Sequence, residues 1–164
     1  MSVHVIGKRK TSNTMTLNCR IQGSDEFTKR GGTTQMICKT YETGRLQQYK
    51  YVVVLSSYQG KILLSRHKER TTWETQGGHI DAGETPLEAA KRELYEESGA
   101  LEFDIEPLCD YWAGDAAGMV FTANIHKLGD IPDSEMAEVK TFDTLPENLT
   151  YPAITPVLFA EIGY

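Results

Sequence analysis

A mixed β-sheet flanked by helices, in the α+β or α/β range, is the fold class that this sequence predicts. Three observations lead there. Short runs rich in β-branched and aromatic residues fill residues 33–76. A helix with recognisable ends follows, and two long strand-like runs then precede a second helix. At 164 residues the chain suits a single domain, able to bury about two thirds of the surface that its unfolded form exposes.

Residues 1–48 are basic and the least legible part. TMTLNCRI (14–21) alternates like a strand, GSDEFTKRGG (23–32) has the composition of a loop, and TTQMICKTY (33–41) suits a second strand. KYVVVLSS (50–57) and KILLSRH (61–67) are β-rich and separated by a short turn ending at Gly60, the pattern of a hairpin. TTWETQ (71–76) suggests a short strand leading into Gly77-Gly78. The helix after it has Thr85 as N-cap, Pro86 at its first position and Gly99 as its stop. LEFDIEPLCDYWAG (101–114) and GMVFTANIHKL (118–128) follow as long strands joined by the turn DAAG. An acidic loop (129–135) then leads to a strand in AEVKTFD (137–143). TYPAITPVLFAEI (150–162) reads as a second helix, capped by Thr150 or Thr155, with Pro156 in its first turn.

Composition narrows the function classes. The apolar run Val52–Leu55 is far too short to cross a bilayer. The opening MSVHVIGKRKTSN lacks the apolar core and cleavage site of a secretory signal, so a cytoplasmic protein without a membrane partner is expected. Cys19, Cys38 and Cys109 are odd in number and widely spaced, which suits reduced thiols rather than a disulfide framework or a zinc site. The net charge of −6 hides an asymmetry. Residues 1–50 carry nine Lys or Arg against three acids, and residues 51–164 carry eight against twenty. An acidic body approaches a polyanion only through cations, and the basic segment is either a guide for phosphate or a solvated face.

The stretch GGHIDAGETPLEAAKRELYEESGA (77–100) concentrates the chemistry. On a helical wheel Leu87, Ala90 and Leu94 share an arc of roughly 60°, and Glu93, Glu96 and Glu97 share a separate arc of roughly 100°. Like charges at this spacing cost roughly 0.2–0.5 kcal/mol per pair. A hard cation would remove that cost, because Mg²⁺, or Mn²⁺, prefers carboxylate and carbonyl oxygens and shares substrate phosphate as a further ligand. Gly77-Gly78 would let the backbone approach the carboxylates closely.

These residues resemble the Nudix box, G-x5-E-x7-R-E-U-x-E-E-x-G-U with U a bulky aliphatic. Gly78, Glu84, Arg92, Glu93, Leu94, Glu96, Glu97 and Gly99 fall on it. Two positions depart: Ala100 closes the box, and Gln76 stands where many relatives have Pro. The later EVKTFDTLPENL is also similar to Nudix hydrolases, so the likeness runs from about residue 50 onward.

The resemblance implies an α/β/α sandwich and cation-dependent hydrolysis of a nucleoside diphosphate linked to another group. Residue by residue, it implies that Glu93, Glu96 and Glu97 hold Mg²⁺ together with the carbonyl of Gly77, and that Arg92 and Glu84 orient the carboxylates. The general base is Glu93 or Glu96, or else a downstream glutamate such as Glu135 or Glu138. Glu88, which the box does not require, is expected to be ordinary surface. Trp73, Tyr111, Trp112, Phe121 and Tyr151 are candidates for stacking on a base, and Arg66, Lys68 and Arg70 for touching phosphate.

YPAITPVL (151–158) is similar to the segment that carries an oxidised-guanine-reading Asn in mutator-preventing Nudix triphosphatases, but here Ile154 or Thr155 stands near that place. The leading expectation is hydrolysis of a nucleoside triphosphate to monophosphate and pyrophosphate. The alternatives are action on an RNA 5′ end, ADP-ribose or a dinucleotide, and a non-catalytic nucleotide sensor. Such sensors tend to lose box carboxylates, and this sequence has kept them all.

Overall fold

The computed structural model describes residues 37–164. Their elements are β1 (Cys38–Tyr41), β2 (Tyr51–Tyr58), β3 (Lys61–His67), β4 (Gln76–His79), α1 (Pro86–Ser98), β5 (Ala100–Ala113), β6 (Ala116–Leu128), β7 (Met136–Phe142) and α2 (Thr155–Ala160). The expected strand at 14–21, the loop at 23–32, Cys19 and the start of the strand expected at 33–41 lie outside the described residues.

The strands form one mixed sheet in the order β1-β5-β6-β2-β3-β7. Among the described residues only the β2–β6 ladder is parallel; the other ladders are antiparallel. One edge of β2 is divided. Its first half, Tyr51–Val54, pairs with β4, and its last residues, Ser56–Tyr58, pair with β3. Alternation along the central strands sends side chains to opposite faces. Val52, Val54, Leu63, Phe121, Ala123 and Ile125 pack with Ala89, Ala90 and Leu94 of α1. Leu55, Ile62, Leu64 and Val120 pack with Leu158 and Phe159 of α2. These two cores make the α/β/α sandwich.

Three elements differ from the sequence-based expectation. Trp73 and Glu74 form only isolated bridges, and the ladder to β2 starts at Gln76 and runs through the glycine pair. Those glycines are strand residues because a side chain has no room there: a Cβ on Gly77 would strike the Val52 carbonyl oxygen. The β5–β6 turn is Gly114-Asp115 rather than DAAG, since Gly114 at φ +61° permits a two-residue hairpin and Ala116 and Ala117 are buried in the strand. The last helix is shorter than expected. Thr150 is committed to Trp73 and Thr72, and Ile154 caps without a side-chain hydrogen bond.

No helix among the described residues is long and apolar enough to cross a membrane. Cys38 and Cys109 are free thiols, Cys109 buried and Cys38 partly so.

Candidate active site

Helix α1 begins and ends where its sequence signals lie. Thr85 accepts from the Glu88 amide, the Glu88 carboxylate accepts from the Thr85 amide at 2.8 Å, and Gly99 closes the helix at φ +73°. Glu88 is therefore half of a capping box rather than plain surface, satisfying a backbone amide at the start of the helix with its partner. The buried face also differs from the wheel. Leu87 is exposed, and the side chains turned inward are Ala90, Leu94 and Glu97, with Ala89 and Ser98 beside them. A carboxylate thus stands in the core-facing row of the helix.

Glu97 is 7% exposed and accepts from the Gly77 amide at 2.8 Å. Burial is the main force that pushes its carboxyl up to about 9, against the pull of that amide, and the charges of Glu93, Glu74 and Glu135 add to it. Glu93 is raised for the same first reason, with Arg92 opposing and Glu96 and Glu135 adding. Its carboxylate packs on Gly78, where a Cβ would lie 2.7 Å from Glu93 Cδ. Both glycines are thereby explained: β4 presses its backbone against two carboxylates on α1.

Arg92 is the hub of the corner. Its Nε and Nη2 donate to the two oxygens of Glu84 at 2.9 and 3.0 Å, its Nη1 to Glu93 at 2.7 Å and Glu96 at 3.2 Å, and its Nη2 to the His79 carbonyl at 3.0 Å. The bidentate pair holds the Glu84 carboxyl below its ordinary range, and Arg92 is held above its own. Among the described residues, no three His, Cys, Asp or Glu side chains already stand in ligand geometry. Glu93 and Glu96 are turned onto Arg92, and Glu97 onto the Gly77 amide.

Gln76 is fully buried, accepting from Ser56 Oγ and donating to Ser65 Oγ at 2.7 Å, while Ser65 Oγ donates to the Glu97 carbonyl at 2.8 Å. That chain ties β2, β3 and β4 to the end of α1 and fixes where the glycines meet the carboxylates. Glu74 is a neighbour that sequence reasoning passed over. Its bridge to Ser65 carries it to the corner, where it is 5% exposed and paired with Arg70 at 2.7 Å. Only the alternation within TTWETQ hinted at it.

The outlying candidates separate. Glu135 is exposed but close enough for its charge to bear on Glu93 and Glu97. Glu138 is instead paired with Arg66 across the β3–β7 ladder, through Nε at 3.2 Å and Nη2 at 2.9 Å, and Arg66 Nη1 donates to the Arg70 carbonyl. Arg66 is thus occupied by protein groups. Lys68 donates to the Ser134 carbonyl. Trp73 is 8% exposed and packs edge-on to Phe142 at 5.0 Å in the α2-side core, and Phe121 is buried on the α1 side. Neither is open to a base.

A cleft of about 390 Å³ adjoins the corner on the α2 side, lined by Tyr51, Gly77, Gly78, His79, Tyr111, Asp115, Tyr151 and Thr155 among others. Tyr51 and His79 lie ring to ring at 4.4 Å. Tyr151 is 46% exposed and lies beside Arg70. Trp112 is exposed on β5, and its indole N–H donates to the Gly114 carbonyl at 3.2 Å, bracing the turn.

The sequence profile of the NUDIX domain matches residues 47–147. The chain belongs to the Nudix family. Among curated Nudix relatives, the RNA pyrophosphohydrolase of Francisella tularensis subsp. mediasiatica is 35% identical over 82 residues, half of this chain and 45% of that protein. The RNA pyrophosphohydrolase of Francisella philomiragia is 43% identical over 54 residues, 33% of this chain and 35% of that protein. The chain therefore spans less than half the length of these relatives. A mutant Bacillus subtilis pyrophosphohydrolase superposes with a TM-score of 0.64 at 28% identity, over 77% of this chain and 87% of that one. A Nudix-family hydrolase from Clostridium perfringens shares the fold, with a TM-score of 0.58 at 20% identity, over 71% of this chain and 98% of that one.

Proposed function

We propose that this protein is a Mg²⁺-dependent Nudix pyrophosphohydrolase acting on a nucleoside triphosphate end, with the triphosphorylated 5′ end of RNA as its substrate. The observation that carries the chemistry is the packing of Glu93 and Glu97 against the glycine pair of β4, with Glu96 joined to Glu93 through Arg92, beside a cleft wide enough for a base. Likeness to RNA pyrophosphohydrolases over half of the chain moves the reading from free triphosphates toward RNA.

The donor set fits a hard divalent cation. It is all oxygen, and it holds a buried carboxyl pushed up to about 9 that a cation would return to its charged form. Glu93, Glu96 and Glu97 would hold the ion, with the carbonyl of Gly77, whose amide already faces α1. When bound, the cation neutralises phosphate charge and acidifies water.

The chain's own residues do the rest. Glu84 anchors Arg92, and Arg92 sets the rotamers of Glu93 and Glu96. Glu93 or Glu96 accepts the proton of the attacking water, with Glu135 at the rim as the alternative base. The cleft aromatics, Tyr51 and Tyr151 foremost, hold the base so that the phosphate chain runs past Gly78 toward the carboxylates.

A second reading, hydrolysis of a free nucleoside triphosphate, is favoured by the cleft, whose volume suits one base. The test is release of pyrophosphate from a 5′-triphosphorylated oligoribonucleotide and from free triphosphates in Mg²⁺. The proposal expects a monophosphorylated RNA product formed with higher kcat/KM than from the free nucleotide. Folded protein that releases neither pyrophosphate nor phosphate from any of them would overturn it.

A further inference from the structure

Gln76, the residue before the glycine pair, stands where many relatives have proline, and its side chain is fully buried between two serine hydroxyls. Its Oε1 accepts from Ser56 Oγ, which turns Nε2 to donate to Ser65 Oγ at 2.7 Å. A serine hydroxyl has one proton to give. With its oxygen already accepting from Gln76, Ser65 gives that proton to the Glu97 carbonyl at 2.8 Å. The carbonyl needs a partner from outside α1, because the last carbonyls of a helix find none within it and the Gly99 amide is spent on Tyr95.

Glu97 is thereby held at both ends. Ser65 holds its main chain and the Gly77 amide its carboxylate, and two neighbouring residues of β4, Gln76 and Gly77, set both contacts. Ser65 is itself fixed, since its backbone N–H and C=O are both bonded to Glu74 at 2.9 Å. A carboxylate fixed in this way sets how far its oxygens stand from an ion. Mg²⁺ needs near-ideal octahedral positions and bonds of about 2.0–2.1 Å, whereas Ca²⁺ accepts irregular shells at about 2.3–2.6 Å. Rigid ligands suit the smaller ion and slack ones the larger.

We infer that Gln76 and Ser65 are positioning residues that hold Glu97 firmly enough to select Mg²⁺ over Ca²⁺ at the cation site proposed above, on which this selection rests. A proline at residue 76 could not do so, because it carries no side-chain amide to orient Ser65.

Displacement of Mn²⁺ by Mg²⁺ and by Ca²⁺, followed by electron paramagnetic resonance of the free ion, tests the selection without turnover. The proteins are the wild type, Ser65→Ala, Gln76→Met and Ser56→Ala, each checked for native circular dichroism. Ser65→Ala should weaken Mg²⁺ at least about tenfold, the scale of losing a partner that orients a ligand, and Ca²⁺ by less than about threefold. Gln76→Met, close in length but apolar, should change the ratio in the same direction. Ser56→Ala should change it least, being the member of the relay furthest from Glu97. In chelator, amide hydrogen exchange at Gly77 should quicken in Ser65→Ala and Gln76→Met while the β5–β6 amides keep their protection, a local loosening that a general loss of stability would not give. Unchanged Gly77 exchange in both variants would overturn the positioning role. Wild-type protein that binds none of the three ions would sink the proposed cation site and the selection with it. Wild-type binding with the same ratio of Mg²⁺ to Ca²⁺ affinity in Ser65→Ala and Gln76→Met would sink the selection alone.

Discussion

The two faces of the Gly77-Gly78 segment meet opposite surroundings. On the α1 side the neighbours are carboxylates wired to a single arginine, with one acid deep enough to hold its proton at neutral pH. On the α2 side they are aromatic rings with one carboxylate at the rim. The first side has the chemistry of an ion and a phosphate, the second that of a base. The strand between them is glycine because side chains there would collide with Val52 on one side and Glu93 on the other. Under the proposed function, reaction and recognition would be divided between two surfaces that share one strip of backbone, and changes to either surface should have separable effects.

The largest expected effect is on the charged side. Glu97→Gln should cut kcat by about 100–1,000-fold, the scale of losing a group that stabilises charge in the transition state, with the KM for the base little changed; steady-state rates in Mg²⁺ check this. Next comes Glu84→Gln, which leaves the ligands in place but frees Arg92 from its bidentate anchor. It should weaken metal affinity or activity by about 10–100-fold, as removal of an orienting partner does. On the aromatic side, Tyr151→Ala should raise KM about tenfold with kcat nearly unchanged, since stacking holds substrate and transition state alike. A fall in kcat without a rise in KM for Tyr151→Ala would break the division between the two surfaces.

A further effect is on stability rather than on rate. Glu97 keeps a proton in the fold up to about pH 9, whereas the unfolded chain releases it near the ordinary carboxylate value of 4.5. Between these values the native state binds more protons, so this group's contribution is fully present below the lower value and is lost as pH rises through the upper one. Melting temperatures in chelator from about pH 5 to pH 9 should therefore decline in the wild-type protein and flatten in Glu97→Gln. Added Mg²⁺ should stabilise more as pH rises, because it binds the ionised form.

The charged surface was largely legible in the sequence because its information is local. Thr85, Pro86 and Gly99 set the ends of α1, and the spacing of Glu84, Arg92, Glu93, Glu96 and Glu97 sets the rest. The wheel misjudged Leu87 because it assigned the buried face from apolar residues, while the fold turns an acid inward at Glu97. The aromatic surface was hardly legible. Tyr51, His79, the hairpin residues Tyr111 and Asp115, and Tyr151 come from four separate places in the chain and meet only through the order of β4, β2, β6 and β5 and the return of the tail. No spacing encodes that meeting. Trp73 and Arg66 lie close to the box in sequence, yet the alternation of β3 and the bridge at Trp73 send them to the core and to Glu138.

The central claim is that the acidic face of α1 holds a divalent cation. Titration with Mn²⁺, followed by electron paramagnetic resonance of the free ion, tests it most directly on the wild-type protein, Glu97→Gln and Glu138→Gln. The account predicts binding by the wild type, a loss of at least about tenfold in Glu97→Gln, and wild-type affinity in Glu138→Gln, whose carboxylate is paired with Arg66. Natively folded Glu97→Gln that binds Mn²⁺ as tightly as the wild type would contradict it.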